Sequence, residues 1–369
     1  MQAQDERQTV DSVRGESFDT LRRAVSNHEW NQLVKSFLNS YRIIVNNSLP
    51  LNATISNRNL ITMISTTSSN ILNIAHRGAR AYAPENTLVA FAKAKTLGCE
   101  MFEMDVRLSK DGVVVVNHDE HLTRCTDAKT KFPGRNSYNV ADFTYAELSS
   151  LDAGSWYIEQ LALASEERQP FLHSLTDAEI AEYISPTERN LYASGNIRIP
   201  TLAETLYLAK ELDLMVNIEL KNQPDGTTGL VEAVLNIIET VKMEGRILVS
   251  SFEHDMLKQI RQHTKTIATA VLTEMPIKAP VTYLRKLKAN AYNIGCHKDY
   301  KLKGFSGLSG KRYLAHIGKV HKAGFGVNVW TCNEQKEMGY LLSAGATGLI
   351  SDYPNRVREK IAAYLQKIG

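Results

Sequence analysis

No stretch of this chain approaches the roughly 20 consecutive apolar residues that carry a helix across a bilayer. The opening Met1-Gln2-Ala3-Gln4-Asp5-Glu6-Arg7 is polar, without the apolar core of a secretory leader, so a cytoplasmic location is the expectation. An excess of one charge is lacking too: 43 basic residues stand against 40 acidic ones, for a net charge of +3. The basic residues are interleaved with acids rather than clustered, which argues against nucleic acid as a partner. Cysteine is scarce. Cys99, Cys125, Cys296 and Cys332 lie far apart, with neither metal-ligand nor redox spacing, and read as reduced thiols.

What the chain does have is length and apolar content: 369 residues, 43% of them hydrophobic, can bury a large core plus an accessory piece. β-Branched apolar runs bounded by turn residues recur at about 72–75, 100–105, 215–219, 247–251, 267–271, 291–294, 325–330 and 347–350. Amphipathic stretches of helical length follow most of them, at 86–98, 228–243, 254–263, 310–323, 333–343 and 354–367. Strand–helix alternation of this kind predicts a parallel sheet covered by helices. Eight such units close a TIM-type (β/α)8 barrel, whose chemistry sits at the C-terminal ends of the strands.

Two histidines and three acids fall on those ends. Ile74-Ala75-His76-Arg77-Gly78 leads into Pro84-Glu85-Asn86-Thr87, then Phe102-Glu103-Met104-Asp105-Val106, then Val116-Asn117-His118-Asp119. Asn217-Ile218-Glu219-Leu220-Lys221 follows a hundred residues later. Residues two apart on a strand point the same way, so Glu103 and Asp105 face one mouth, as do Glu219 and Lys221. Three converging carboxylates repel one another, and one divalent cation is the economical way to hold them. All-oxygen ligation favours Mg²⁺ or Ca²⁺, with Mn²⁺ a further candidate, over zinc. Three carboxylates and a divalent ion sum to about −1, so an anionic substrate needs flanking cations, which Arg77 and Lys221 supply; either could instead be a structural ion-pair partner. His76 and His118 are candidate proton carriers, because imidazole exchanges protons near neutrality. The other eight histidines show no comparable setting.

Asp111-Gly112 lies between apolar runs and signals a hairpin. Taken as a two-residue turn, it sets Lys110 opposite Val113 and Asp105 opposite His118; a longer loop would keep the neighbourhood but lose that pairing. Asn86 is placed for N-capping, with a supporting role near the site for Glu85 or Asn86 as the other reading.

The order and spacing of these segments resemble the glycerophosphodiester phosphodiesterase family over about 72–157 and 199–358. The stretch from Leu148 to Trp156, Ile199-Pro200-Thr201-Leu202, Ser250-Ser251-Phe252, Val327-Asn328-Val329-Trp330-Thr331 and Ser351-Asp352-Tyr353-Pro354 add to the likeness. The resemblance implies the same barrel, metal-dependent hydrolysis of a small glycerophosphodiester to an alcohol and glycerol 3-phosphate, and a two-step route through a cyclic phosphate. It also implies a contact between Trp330 and the glycerol part of the substrate, against a packed core tryptophan as the bland reading. Three alternatives share parts of the pattern: a lysophospholipase-D-like enzyme, which an apolar rim would favour, a phosphatidylinositol-specific phospholipase C, which the motifs fit less well, and a catalytically inactive barrel used for binding.

The expected organisation is an N-terminal helical extension over 1–70 and a barrel domain over 71–369, with an insertion at about 119–198. The insertion should overhang the mouth and shape substrate choice, and Thr176-Asp177-Ala178-Glu179 marks a helix start within it. Trp30, Leu33, Val34, Phe37, Leu38 and Tyr41 form one apolar helical face. Docking on the barrel exterior accounts for that face; contact with a partner or a second subunit is the sharper reading. With only Lys35 and Arg42 opposite, lipid binding has little support.

Overall fold

The computed structural model describes residues 27–44, 60, 71–222, 229–296 and 307–368. Its centre is a closed ring of eight parallel strands: β1 (Leu72–Ala75), β2 (Met101–Leu108), β4 (Met215–Leu220), β5 (Ile247–Ser251), β6 (Ala268–Thr273), β7 (Ala291–Gly295), β8 (Gly326–Trp330) and β9 (Gly348–Ser351). Pairing of β1 with both β9 and β2 closes it. The expected TIM-type barrel is present. Outside it lie α1 (Asn27–Ile44), α2 (Leu88–Thr96), α3 (Leu202–Glu211), α4 (Leu230–Val241), α5 (His254–His263), α6 (Pro280–Leu287), α7 (Leu308–Lys322), α8 (Gln335–Ala344) and α9 (Pro354–Ile368).

Period-two alternation sorts the strands. On β2, Phe102, Met104 and Val106 join the large core under the helices, whereas Met101 belongs to a second apolar cluster with Leu72, Ile74, Met215, Leu248, Ala268, Ala291 and Ile350. Most of these stand at or near the first residue of a strand, so they form the barrel floor. Leu60, from the N-terminal extension, is 1% exposed and packs into the same cluster.

β3 (Val114–Val116) returns antiparallel to β2 with Val106 opposite Val116 and Leu108 opposite Val114. This corrects the expected register by one residue: Asn117, not His118, donates its N–H to the Asp105 carbonyl, at 3.0 Å. The cause is a three-residue loop, Lys110-Asp111-Gly112, closed by Ser109 N–H to Val113 O at 2.9 Å, with Gly112 at φ +79°. A left-handed glycine in third place is the usual way to close such a loop.

Val34, Leu38 and Tyr41 of α1 are buried, and α1 packs on α3. Docking on the barrel exterior therefore holds for these residues, each such burial contributing roughly 1.5–3 kcal/mol; the side chains of Trp30 and Leu33 lie outside the described residues. The insertion carries the helices Ser155–Ala162, Asp177–Tyr183 and Pro186–Tyr192. Thr176 and Glu179 form the expected capping box. Arg356 ties this piece to α9 through both Glu179 oxygens at 2.7 Å, and Tyr353 donates to the Phe171 carbonyl at 2.6 Å. Among the described residues no cysteine is in a disulfide; Cys99 and Cys332 are buried and Cys125 and Cys296 half-buried. No helix among the described residues is long and apolar enough to cross a membrane.

Candidate active site

Glu103, Asp105 and Glu219 converge at the strands' C-terminal ends, each offering one oxygen within 4.8 Å of the others. Parallel pairing places Asp105 beside Glu219. All three are buried, and their proton affinities diverge. Burial, then Asp105 and Glu219, push Glu103 well above the usual carboxylate range. Burial would raise Asp105 as well, but Lys221, His118 and Arg77 hold it well below. Glu219 is pushed up to about 7 by burial, against the pull of Lys221.

Lys221 Nζ lies 2.5 Å from Glu219 Oε1 and 2.9 Å from Asp105 Oδ1. The latter approach is off the hydrogen-bond direction, leaving Asp105 Oδ1 and Glu103 Oε1 as buried acceptors without a donor. Buried carboxylate oxygens are costly unless compensated. Two such atoms in a three-carboxylate cluster fit a hard divalent cation.

The loop after β1 supplies the next layer. Arg77 has φ +54° and Gly78 φ +78°. A Cβ at Gly78 would fall 2.7 Å from Ala90 backbone, so only glycine lets the loop lie on α2. Left-handed backbone at an arginine costs roughly 1–3 kcal/mol; the 2.9 Å bond from Arg77 N–H to Glu103 Oε2 helps hold it. The Arg77 guanidinium donates to Glu85 at 2.8 Å, while its buried Nε, 3.5 Å from Asp105 Oδ2, has no hydrogen-bond acceptor.

Asn86 is not the N-cap. Thr87 caps α2, accepting from Ala90 N–H. Asn86, at φ +56°, sends its amide to Asp105 Oδ2 at 2.9 Å. It thus supports a carboxylate of the cluster, as the other reading of the tetrapeptide had it.

The two histidines sit on opposite flanks. His76 Nε2 lies 3.9 Å from Glu103 Oε2, while its Nδ1 is 2.7 Å from Asp352 Oδ1. Burial and Arg80 bring His76 down to about 4. His118 Nδ1 is 2.6 Å from Asp119 Oδ1, and burial lowers His118 too. His118 and Asp105 are close enough that each shifts the proton affinity of the other. Both imidazoles are therefore held by a carboxylate on one nitrogen.

Trp330 is half-buried at the end of β8 and packs against the second apolar cluster. Its Nε1 donates to Asn293 O at 3.3 Å, and its ring meets Phe252 edge-on at 5.6 Å. Of the residues expected at the site, Glu103, Asp105, Glu219, His76, His118, Arg77 and Lys221 are brought together, whereas Trp330 contacts Asn293 and Phe252. Asp352, Asp119, Arg80 and Arg124 also belong to the group brought together, and sequence reading gave them no role. The Ser351-Asp352-Tyr353-Pro354 likeness was the only pointer to Asp352.

Two imidazoles beside a carboxylate cluster edged by cations at a barrel mouth suit phosphoester chemistry. The profile of the glycerophosphoryl diester phosphodiesterase family matches residues 76–356, and the chain belongs to this family. A glycerophosphodiester phosphodiesterase of Bacillus altitudinis is 31% identical over 291 residues, covering 78% of this chain and 98% of the relative. Among solved structures, a putative glycerophosphoryl diester phosphodiesterase of Silicibacter pomeroyi superposes with a TM-score of 0.64 at 24% identity, over 82% of this chain and 97% of that one. An Oleispira antarctica phosphodiesterase in complex with the product sn-glycerol-3-phosphate superposes with a TM-score of 0.57 at 25% identity, over 78% and 96%.

Proposed function

We propose that the chain hydrolyses glycerophosphodiesters to an alcohol and glycerol 3-phosphate, with a divalent cation held by Glu103, Asp105 and Glu219. The carrying observation is that Glu103, Asp105 and Glu219 each bring an oxygen within 4.8 Å of the others, with Glu103 Oε1 buried and without a hydrogen-bond partner. A divalent cation would hold those oxygens together, with Arg77 and Lys221 at its edge to meet an anionic substrate. When bound, such an ion supplies Lewis-acid polarisation of the phosphoryl oxygens.

The chain's own residues do the rest. Arg77 and Lys221 offset the substrate's negative charge and orient it, and Trp330 packs against the glycerol carbons. One histidine takes the proton of the glycerol hydroxyl next to the phosphate as its oxygen attacks phosphorus. The other gives a proton to the departing alkoxide. With the roles reversed, water opens the cyclic phosphate, and both imidazoles return to their starting states.

A second reading has an observation behind it. Phe252 is 41% exposed and Met275 57% exposed, both follow barrel strands at the mouth, and Phe252 meets the Trp330 ring. An apolar flank suits the lipid portion of a lysophospholipid. Turnover of glycerophosphocholine, glycerophosphoethanolamine and lysophosphatidylcholine, with chelator and then with Mg²⁺ or Ca²⁺ restored, separates the readings. Metal-dependent release from the first two supports the proposal, and preference for the third supports the lipid variant. Activity on none of them, with either ion, would leave a binding module.

A further inference from the structure

Each histidine has an arginine behind its carboxylate, and the two arginines meet. On the His76 side, Arg80 Nε donates to Asp352 Oδ1 at 2.5 Å and its NH2 to Oδ2 at 3.2 Å. On the His118 side, Arg124 Nε donates to Asp119 Oδ2 at 2.5 Å and its NH2 to Oδ1 at 3.1 Å. Both guanidiniums then converge on Glu85, which is 5% exposed. Arg80 NH1 reaches Glu85 Oε2 at 3.3 Å; Arg124 reaches Oε1 at 2.7 Å and Oε2 at 3.2 Å. Among the described residues, neither guanidinium has a hydrogen bond or ion pair to Glu103, Asp105 or Glu219; their carboxylate partners are Asp352, Asp119 and Glu85.

We propose that Asp352 and Asp119 are positioning residues for His76 and His118, and that Glu85 joins the two arms into one frame through Arg80 and Arg124. The proposal rests on the acid–base roles given above for the histidines. A carboxylate on Nδ1 holds a proton there and leaves Nε2 for the cavity, as a lone pair on the base and as an N–H on the acid, which sets protonation site and ring plane together. A two-pronged arginine fixes the carboxylate's plane in turn. With both arms fastened to Glu85, the separation of the two Nε2 atoms is set by one rigid network. An acid and a base that must straddle one phosphorus need that fixed spacing.

The insertion completes the frame. Gln169 Oε1 accepts from Arg124 NH1 at 3.0 Å, and the Phe171 ring lies 4.1 Å beneath the Arg80 guanidinium. The segment therefore braces each arm once, a task separate from choosing substrate.

The test uses the full-length, metal-loaded protein and the isosteric variants Asp352→Asn, Asp119→Asn and Glu85→Gln. Long-range ¹H–¹⁵N spectra of the imidazoles read tautomer without any need for turnover. Wild type should show Nδ1-protonated rings, with His76 alone redistributing in D352N and His118 alone in D119N. On glycerophosphocholine, each variant should lower kcat on the order of 10–100-fold with KM and metal affinity little changed. D352N should cost less in the E85Q background than alone, since both act through one network. Unchanged tautomers, or losses confined to KM, metal affinity or melting temperature, would overturn the proposal. D119N, whose aspartate is partly exposed, keeps the test decisive if D352N does not fold. A wild type without phosphodiesterase activity would refute the function while leaving the tautomer readout to judge the frame.

Discussion

His76 Nδ1 lies 2.7 Å from Asp352 Oδ1, although the two residues are 276 positions apart. They meet because β1 and β9 are neighbours where the barrel closes, with Ala75 beside Ser351. Closure of the fold is thus what gives one histidine its carboxylate; the other takes Asp119 from its own chain neighbour.

His118→Ala should separate chemistry from architecture. The side chain is partly exposed and supports no core packing. Steady-state kinetics should show kcat down by about 10²–10⁴-fold, the usual worth of a general acid or base. Calorimetric melting and metal titration should match wild type. Unchanged turnover would remove His118 from the mechanism.

Glu103→Gln should act in opposite directions on the metal-free and metal-loaded protein. Without an ion, it relieves the repulsion that, with burial, raises the Glu103 carboxyl, so the melting temperature should rise. With ion, the variant should lose the gain that wild type shows, about 2.7 kcal/mol at a metal concentration 100 times Kd. Thermal melts with chelator and with added Mg²⁺ or Ca²⁺ check both signs. An equal metal-induced shift in the two proteins would rule out Glu103 as a ligand.

Glu179 gives a pH-dependent latch for the insertion. Burial opposes its ionisation, yet Arg356 and the Thr176 N–H bring the carboxyl down to about 2. Its folded-state value is below the unfolded one, so its stabilisation is full above about pH 4.5 and fades as pH falls toward 2. Glu179→Gln should cost about 1–2 kcal/mol at pH 7, after discounting for solvent screening, and progressively less below pH 4.5. Urea unfolding of both proteins across that range measures the difference. A gap constant with pH would show the charge to be irrelevant.

Lys93→Met should destabilise more than any surface ion pair. Lys93 Nζ lies 2.8 Å from Glu188 Oε1, with side chains 8% and 3% exposed, and Tyr41 of α1 donates to the same oxygen at 3.2 Å. Removing the ammonium strands a buried carboxylate, at a cost of roughly 3–5 kcal/mol. The double variant Lys93→Met/Glu188→Gln should recover part of that loss in chemical denaturation. No recovery would mean that packing by the lysine stem, and not the charge, sets the stability.

The legible parts of this molecule are those written in short-range periodicity. Alternation along β2 and β4 puts Glu103, Asp105 and Glu219 on the inner face, with Lys221 just past β4 on the same side, and the run of strand–helix units predicts the barrel. Closure-dependent contacts were not legible. Nothing in the spacing of Asp352 says that it will stand beside His76, because that contact depends on strand order around the ring. Glu85 was legible as a candidate support near the site, but its three arginine partners, from two different loops, were not. The hairpin register turned on whether Asp111 would be left-handed along with Gly112; only Gly112 is, which gives a three-residue loop instead of a two-residue one. Asn86 misled for a related reason: a threonine one residue later could cap just as well, which freed the asparagine for Asp105.

Leu60 deserves the closing consideration. It sits well ahead of the first residue of the family match, yet its side chain stops the bottom of the barrel among Leu72, Met101 and Met215. A Leu60→Ser chain would keep every reacting group and lose its cork. Water would then wet a ring of bare aliphatic side chains at the end opposite the chemistry. Leu60, outside the family match, is by this measure part of the vessel rather than an appendage hung on it.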